Sequence, residues 1–145
     1  MSWLVGAVIL FIGLVAVVAF VGSRLPVAHV ATSRARYKAD IDAVWAAVEA
    51  QVAGNDRKVE IVERDPPRRL KTRIPPGGPF GGTWTFDLAD RTVLTITEHG
   101  EVYNVLFRFL SRFVFGHYAT QEQFLRGVGT RLHETAIPER LPAPA

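Results

Sequence analysis

Hydrophobic positions follow one another without a break at the start of the chain. The segment from Trp3 to Gly22 contains no charged side chain and is built almost wholly of Val, Leu, Ile, Phe, Ala and Gly. About 20 apolar residues suffice to cross the hydrocarbon core of a bilayer, so residues 1–24 are predicted to form a transmembrane anchor. A buried core helix and a cleaved signal peptide are the alternatives. Against a signal peptide, no Lys or Arg precedes the run, and Val21-Gly22-Ser23 is a poor cleavage site.

After the anchor, an alternation of period two gives way to a helical period. From His29 to Tyr37, Ala, Ser and Tyr alternate with Thr, Arg and Lys, which predicts a strand with one solvent-exposed face. Asp40 then stands where a helix N-cap belongs, and Gly54 where the helix ends. The apolar residues between them recur at helical spacing: Ile41, Val44, Trp45, Val48 and Val52.

Alternation of period two returns in the middle of the chain and predicts more strands. They are expected at Lys58 to Glu63, Arg69 to Ile74, Thr83 to Leu88, and Thr92 to Glu98 with an extension towards Tyr103. Short turns favour an antiparallel meander, and the sheet is expected to have about five strands. The glycine-rich run from Gly77 to Gly82 lacks the Lys and Ser or Thr of a phosphate-binding loop, so we expect a flexible loop between strands that could act as a gate.

Two helices are predicted near the C-terminus. Asn104 caps a short apolar helix from Val105 to Phe115, and Thr120 with Gln123 has capping-box spacing at the start of the last helix. The apolar stripe of that last helix is Phe124, Leu125, Val128 and Leu132. Residues 137–145 contain three prolines and are predicted to form a frayed tail, which leaves 25–136 as the folded domain.

Composition and charge indicate which partners and which compartment to expect for this α+β domain. The formal net charge is +3, but the 17 basic residues are dispersed among 14 acidic ones. No basic stripe with interleaved aromatics appears, so a nucleic acid is not an expected partner. Arg24, Arg34, Arg36 and Lys38 all follow the apolar run, which places the domain on the cytoplasmic side by the positive-inside rule. The absence of cysteine agrees with a reducing compartment.

Candidate chemistry is sparse. None of the four histidines pairs with another His or with a carboxylate at a recognised metal spacing. His99 has Glu98 and Glu101 as neighbours, a grouping that a surface turn explains. There is no thiol and no serine in a nucleophile-elbow context. We therefore predict no catalytic residues, no metal and no cofactor.

Aromatic residues are the stronger signal, and two interpretations stay open. Six of them could converge on a cavity for an apolar ligand, or could simply build a hydrophobic core. They are Trp45, Trp84, Phe86, Tyr103, Phe107 and Phe124. Arg108 and Arg112 lie one turn apart on a very apolar helix, where they could snorkel at a membrane surface or mark the solvent side.

Several short motifs resemble the START-related superfamily, which includes the polyketide cyclase-like proteins. The motifs are Val44-Trp45, Gly82-Thr83-Trp84, Leu94 to Glu98, Gly100 to Asn104, Phe107-Arg108-Phe109 and Phe113 to His117, within a similarity that runs from Leu25 to Glu134. The resemblance, to a bacterial membrane-anchored branch, implies a helix-grip fold: an antiparallel sheet curled round a long C-terminal helix, with a hydrophobic cavity between them. Members bind lipids, sterols, polyketides and other apolar molecules, and no shared set of catalytic residues carries over to positions here. About thirty residues and two strands of that fold are missing from this chain, which predicts an incomplete sheet with an open edge.

The leading functional hypothesis is a non-catalytic, membrane-anchored binding module for a hydrophobic small molecule or lipid. Tyr103, Trp84, Phe86 and Phe107 would line its pocket, with the last helix as the floor. The alternative is a structural or interaction protein that pairs or self-associates through an open sheet edge. An enzyme of the cyclase or dehydratase type is the third reading, ranked lowest because no buried acid–base pair is visible in the sequence.

Overall fold

The computed structural model describes residues 1–55 and 58–142, and it is an α+β structure with one six-stranded sheet. Its helices are α1 (Ser2–Arg24), α2 (Ile41–Ala53), α3 (Val105–Leu110), continued by a π-helical turn (Ser111–Phe115), and α4 (Ala119–Arg131). Its strands are β1 (Ala28–Arg36), β2 (Glu60–Asp65), β3 (Arg69–Arg73), β4 (Phe80–Ala89), β5 (Val93–Val102) and β6 (Glu139–Leu141). The predicted strand starting at Lys58 thus begins two residues later.

Helix α1 stands apart from the core of the domain. It has 23 residues, and its most apolar stretch has a mean hydropathy of 3.1 with none of that stretch buried. This exposure rules out the buried core helix considered from the sequence. The helix is long and apolar enough to cross a membrane, a property of length and composition that it shares with a signal sequence.

The sheet is antiparallel throughout, with strand order β2-β3-β4-β5-β1-β6. The meander predicted for β2 to β5 is confirmed. β1 pairs with β5 along its full length, from Ala28 opposite Glu101 to Arg36 opposite Val93. This long-range pairing extends the sheet on the side away from β2.

The predicted frayed tail is wrong in part. Glu139–Leu141 forms β6, which pairs with β1 from Thr32 opposite Leu141 to Arg34 opposite Glu139. An ion pair of 2.8 Å between Arg34 Nε and Glu139 Oε2 accompanies this pairing. The sheet therefore has six strands where about five were expected; the last residues of the tail, 143–145, lie outside the described residues.

The glycine-rich run also differs from its prediction. Phe80, Gly81 and Gly82 belong to β4 and pair with the end of β5, so only the first part of the run is a turn. Gly82 has a φ of +112°, and a Cβ there would lie 2.9 Å from the Cα of Gly100. The glycines thus let two strands meet closely instead of forming a flexible gate.

The core lies between one face of the sheet and helices α2 and α4. Asp40 Oδ1 accepts a hydrogen bond of 2.8 Å from the Ala43 amide, which confirms the predicted N-cap of α2. Helix α4 is no longer than α2, so the long C-terminal helix is not confirmed. The predicted capping box of Thr120 and Gln123 is wrong, because α4 begins at Ala119 and no side chain caps its first turn. Among the most deeply buried apolar side chains of the core are Val44, Val48, Leu70, Phe86, Leu94, Ile96, Leu125 and Val128.

Buried polar contacts fix α4 against β1. The Gln121 amide Nε2 donates a hydrogen bond of 2.9 Å to the Ala31 carbonyl, and Gln121 Oε1 accepts from the Ser33 hydroxyl. The Tyr37 hydroxyl donates to the Leu125 carbonyl at 2.8 Å. Since Gln121 and Ser33 are fully buried, these bonds satisfy groups that water cannot reach.

Replacing Gln121 by leucine is expected to destabilise the domain by about 2 kcal/mol, because it leaves a buried hydroxyl and a buried carbonyl without partners. The free energy of unfolding of the full chain in detergent, from urea titration, measures the effect. Gln123→Leu is the matched control: this glutamine is exposed on the same helix, and its replacement should change stability by no more than about 0.5 kcal/mol. Equal effects of the two substitutions would contradict this account of the α4–β1 contact.

Candidate functional site

A cavity of about 540 Å³ lies between one end of the sheet and the helices that cover it. The sheet supplies one wall, α2 and α4 supply the opposite wall, and α3 with the π-helical turn covers the end nearest α1. Its lining includes the aromatic side chains of Trp84, Phe86, Phe107 and Phe124 and the polar side chains of His29, Glu98 and His117. Its size lies within the range typical of small-molecule sites.

The sheet register sets the order of residues along the cavity wall. Going along the inner face, Phe86 of β4 lies opposite Ile96 of β5, Trp84 opposite Glu98, and Gly82 opposite Gly100. The wall thus passes from aromatic residues to the Glu98 carboxylate, and Gly100 leaves room for the side chains of His29 and Glu98.

Four of the six aromatics predicted for a ligand pocket line this cavity. The ring of Phe124 lies 4.9 Å from that of Phe86 and 6.2 Å from that of Trp84, between centroids, and Phe107 lies 5.2 Å from Phe80. These are ordinary distances for tilted and edge-to-face aromatic pairs. Helix α4 contributes Phe124 to the wall, as expected of the last helix.

The other two aromatics lie elsewhere. Trp45 is packed in the hydrophobic core and does not line the cavity. Tyr103 is half-exposed; its hydroxyl lies over Gly81 and donates to the Glu101 carboxylate. The core interpretation therefore holds for Trp45, and neither residue is part of the cavity wall.

Three polar side chains meet at the cavity and form what we call the polar cluster: His29, Glu98 and His117. His29 Nε2 lies 3.2 Å from Glu98 Oε1, with side chains only 15% and 17% exposed. The rings of His29 and His117 are stacked, with centroids 3.9 Å apart and planes inclined by 24°. A Cβ at Gly100 would lie 2.8 Å from Glu98 Oε1 and would meet the His29 ring, so the glycine leaves room for this pair.

Burial is the main cause that lowers the pKa of His117, and the neighbouring His29 and Arg112 act in the same direction against a smaller opposing effect of Glu98. A folded-state pKa below that of the unfolded chain favours the folded state while the imidazole is neutral. This contribution is complete above about pH 6.5 and is lost as the pH falls through the lowered folded-state value.

We therefore expect the stability of the wild-type domain to fall more steeply on acidification below about pH 6.5 than that of His117→Phe, which keeps a stacking ring but cannot be protonated. Thermal unfolding of both full chains between neutral and mildly acidic pH measures the difference. His133→Phe, altering a histidine outside the cavity, is the control. Parallel curves for wild type and His117→Phe would contradict the assigned direction of the shift.

This cluster was missed from the sequence, where only His99 with Glu98 and Glu101 was noted, and that grouping was explained by a surface turn. His99 is exposed, because neighbouring residues of β5 point to opposite faces of the sheet. Glu98 shares its face with the buried Leu94 and Ile96, a placement that the alternation of β5 could have revealed. Its contact with His29 depends on the pairing of β1 with β5, which no local pattern indicates. No group of side chains suited to hold a metal ion is found among the described residues.

The two arginines of the apolar helix have different roles. The Arg108 guanidinium donates to the Leu25 carbonyl at 3.1 Å and the Tyr103 carbonyl at 3.3 Å. It thus joins the end of α1 to the start of α3. Arg112 is exposed on the π-helical turn.

Helix α3 packs against the end of α1. The contact is close at Gly22, where a Cβ would lie 2.9 Å from Val105 Cγ1 and would also meet the Val105 carbonyl. Beside this contact α3 and the π-helical turn expose four large apolar side chains, each more than half accessible: Leu106, Phe113, Val114 and Phe115. An apolar surface therefore adjoins the C-terminal end of α1.

Comparisons of the chain with protein-family models, curated proteins and solved structures give no significant match. The relationship to the START-related superfamily and its helix-grip fold thus remains a prediction from the motifs.

Proposed function

We propose that this protein is a membrane-anchored, non-catalytic binding module for a hydrophobic small molecule or lipid. The observation that carries the proposal is the cavity of about 540 Å³ with Trp84, Phe86, Phe107 and Phe124 in its wall. Transfer of apolar ligand surface from water into such a wall supplies roughly 25 cal/mol per Å². Aromatic side chains beside polar groups in one cavity can bind the apolar part of a molecule and orient the rest of it.

The membrane anchor rests on α1. Its apolar stretch is exposed along its length and is followed by Arg24, Arg34 and Arg36. An exposed apolar helix of 23 residues is unfavourable in water and stable across a bilayer. The basic residues after it favour a cytoplasmic position for the domain.

The apolar surface of α3 and the π-helical turn supports a second contact with the same bilayer. Phe113, Val114 and Phe115 are exposed beside the segment that ends α1, where the membrane interface would lie. Phe115 also belongs to the cavity lining. The part of the wall nearest the membrane is thus itself apolar on its outer side, which suits uptake of a ligand from the bilayer.

The alternative function, pairing through an open sheet edge, has one observation in its favour. On the edge strand β2, Ile61 and Val62 are more than half exposed. The same strand carries Glu60, Glu63, Arg64 and Asp65, and its register shifts between Ile61 and Glu63. Charges and irregular register are features that protect edges from pairing, so we favour the binding module over a self-associating protein.

The test is native mass spectrometry of the full chain, released from lipid nanodiscs without prior detergent extraction. The proposal expects one apolar molecule to stay bound at collision energies that strip the surrounding bilayer lipid. Thr72→Trp, which places a large ring on the buried inner face at the cavity, should remove the adduct, whereas Thr130→Trp on exposed α4 surface should retain it. The mass of the ligand-free protein under every condition, or an adduct equally abundant in both variants, would contradict the proposal.

A further inference from the structure

The polar cluster can accept hydrogen bonds that the protein itself does not supply. The Glu98 carboxylate only accepts, so His29 Nε2 must carry the proton in their contact of 3.2 Å. This bond uses Glu98 Oε1. Within residues 1–55 and 58–142, Glu98 Oε2 has no hydrogen-bond donor. One carboxylate oxygen beside the cavity is therefore available to a ligand.

His117 adds a second point of contact. Its lowered pKa keeps the imidazole neutral at neutral pH, so one ring nitrogen donates and the other accepts. The ring is held by its stack on His29, itself fixed by Glu98. A donor and an acceptor thus stand side by side where the aromatic wall ends.

Charge excludes one large class of ligand. No Lys or Arg lines the cavity within the described part of the chain, whereas the carboxylates of Glu98 and Glu101 are both at its boundary. An anionic head group would meet this negative charge in a partly desolvated site, which is costly, and Arg112, the cation that acts on His117, is exposed outside the lining. A neutral group that both donates and accepts has no such cost.

We infer that the polar cluster binds the hydroxyl head of an uncharged lipid. The hydroxyl would donate to Glu98 Oε2 and accept from the His117 ring N–H, while the apolar part of the molecule lies against Trp84, Phe86 and Phe124. The inference rests on the proposed binding function and adds the class of ligand to it. It makes the cluster a specificity determinant that separates lipid alcohols from lipid anions.

The experiment uses the full chain in phosphatidylcholine nanodiscs and three photoreactive probes. Each probe is a hexadecyl chain with a mid-chain diazirine; the chains end in a hydroxyl, in a sulfonate that stays ionised, or in a methyl group. Labelled peptides are quantified by mass spectrometry, with α1 as the internal reference for probe in the bilayer. The alcohol should label peptides of the cavity wall about tenfold more than either other probe, the effect expected of one hydrogen bond to a charged group.

The variant Glu98→Gln tests the role of the carboxylate. It retains an oxygen for His29 but removes the negative charge. Labelling of the cavity by the alcohol should therefore fall and labelling by the sulfonate should rise, until the two labelling levels differ by no more than about threefold. Glu63→Gln, on the exposed edge strand β2, should leave the tenfold preference intact. His117→Phe is the second variant: it should lower alcohol labelling while the sulfonate stays excluded by Glu98.

The outcomes separate the two claims. Equal labelling of the cavity by all three probes, or a preference unchanged in both Glu98→Gln and His117→Phe, overturns the inference about the hydroxyl head and leaves the binding module in place. Labelling of α1 and α3 by all three probes, with none on β4, β5 or α4, overturns the binding function itself.

Discussion

Replacing Gln123 by tryptophan is expected to reduce the uptake of an apolar ligand by at least about tenfold. Gln123 lines the cavity from α4 next to Phe124, yet it is exposed rather than buried in the core. A large ring at this position occupies ligand space, while substitutions at exposed positions usually change stability by less than about 0.5 kcal/mol. Transfer of a fluorescent long-chain probe from vesicles to nanodisc-embedded protein measures the effect.

Arg126→Trp is the matched control for this prediction. Arg126 lies three residues further along the same helix, is exposed, and does not line the cavity. It should take up the probe as the wild type does. If Gln123→Trp binds the probe normally, the cavity is not the place where ligand is held.

The second large effect is expected from charges in α1. The double substitution Leu10→Arg and Leu14→Arg puts two guanidinium groups near the middle of the apolar helix. Each costs about 2.5–3.5 kcal/mol on insertion scales, so most of the chain should move from the membrane fraction to the soluble or degraded fraction. Alkaline extraction of membranes followed by quantitative blotting measures the distribution.

The control adds the same two charges outside the helix, at the exposed positions Ala119 and Thr130 of α4. This variant should remain in the membrane fraction. The intact mass of the wild-type protein completes the test, because an anchor keeps residues 1–24 and a cleaved signal peptide loses them. A wild-type chain that lacks these residues would contradict the anchor.

The local elements followed from the sequence because their causes are local. Asp40 and Gly54 bound α2 as predicted, since an N-cap and a helix-ending glycine act within a few residues. The meander of β2 to β5 followed from alternation and short turns. Asn104 caps α3 through hydrogen bonds to the amides of Leu106 and Phe107.

What could not be predicted depends on contacts far apart in the chain. The pairing of β1 with β5 brings His29 next to Glu98, 69 residues away in the chain, and the other side of β1 pairs with Glu139–Leu141 as β6. Three prolines in the tail suggested fraying, but an edge strand tolerates proline beside it. The apolar neighbours of Arg108 suggested a position at a membrane surface or on the solvent side of the helix. Its hydrogen bond to the Leu25 carbonyl instead belongs to the packing of α3 on α1, which no local pattern indicates.

The resemblance to the START-related superfamily and the observed structure agree only at a coarse level. Both have an antiparallel sheet with helices on one face, but here α4 has 13 residues and the sheet has six strands. The sheet is open, with β2 and β6 at its edges, in agreement with the predicted open edge. Phe107 of α3 and Ser111 and Phe115 of the π-helical turn line one side of the cavity.

The most direct test of the account is to locate ligand protons in the cavity by NMR. Intermolecular NOEs would be recorded between a protonated lipid mixture and the aromatic side chains of the full chain, in otherwise deuterated nanodiscs. The account predicts NOEs from acyl-chain protons to Trp84, Phe86 and Phe124, and none to Trp45 in the core. NOEs from lipid to α1 and α3 alone, with water protons next to Trp84 and Phe124, would contradict it.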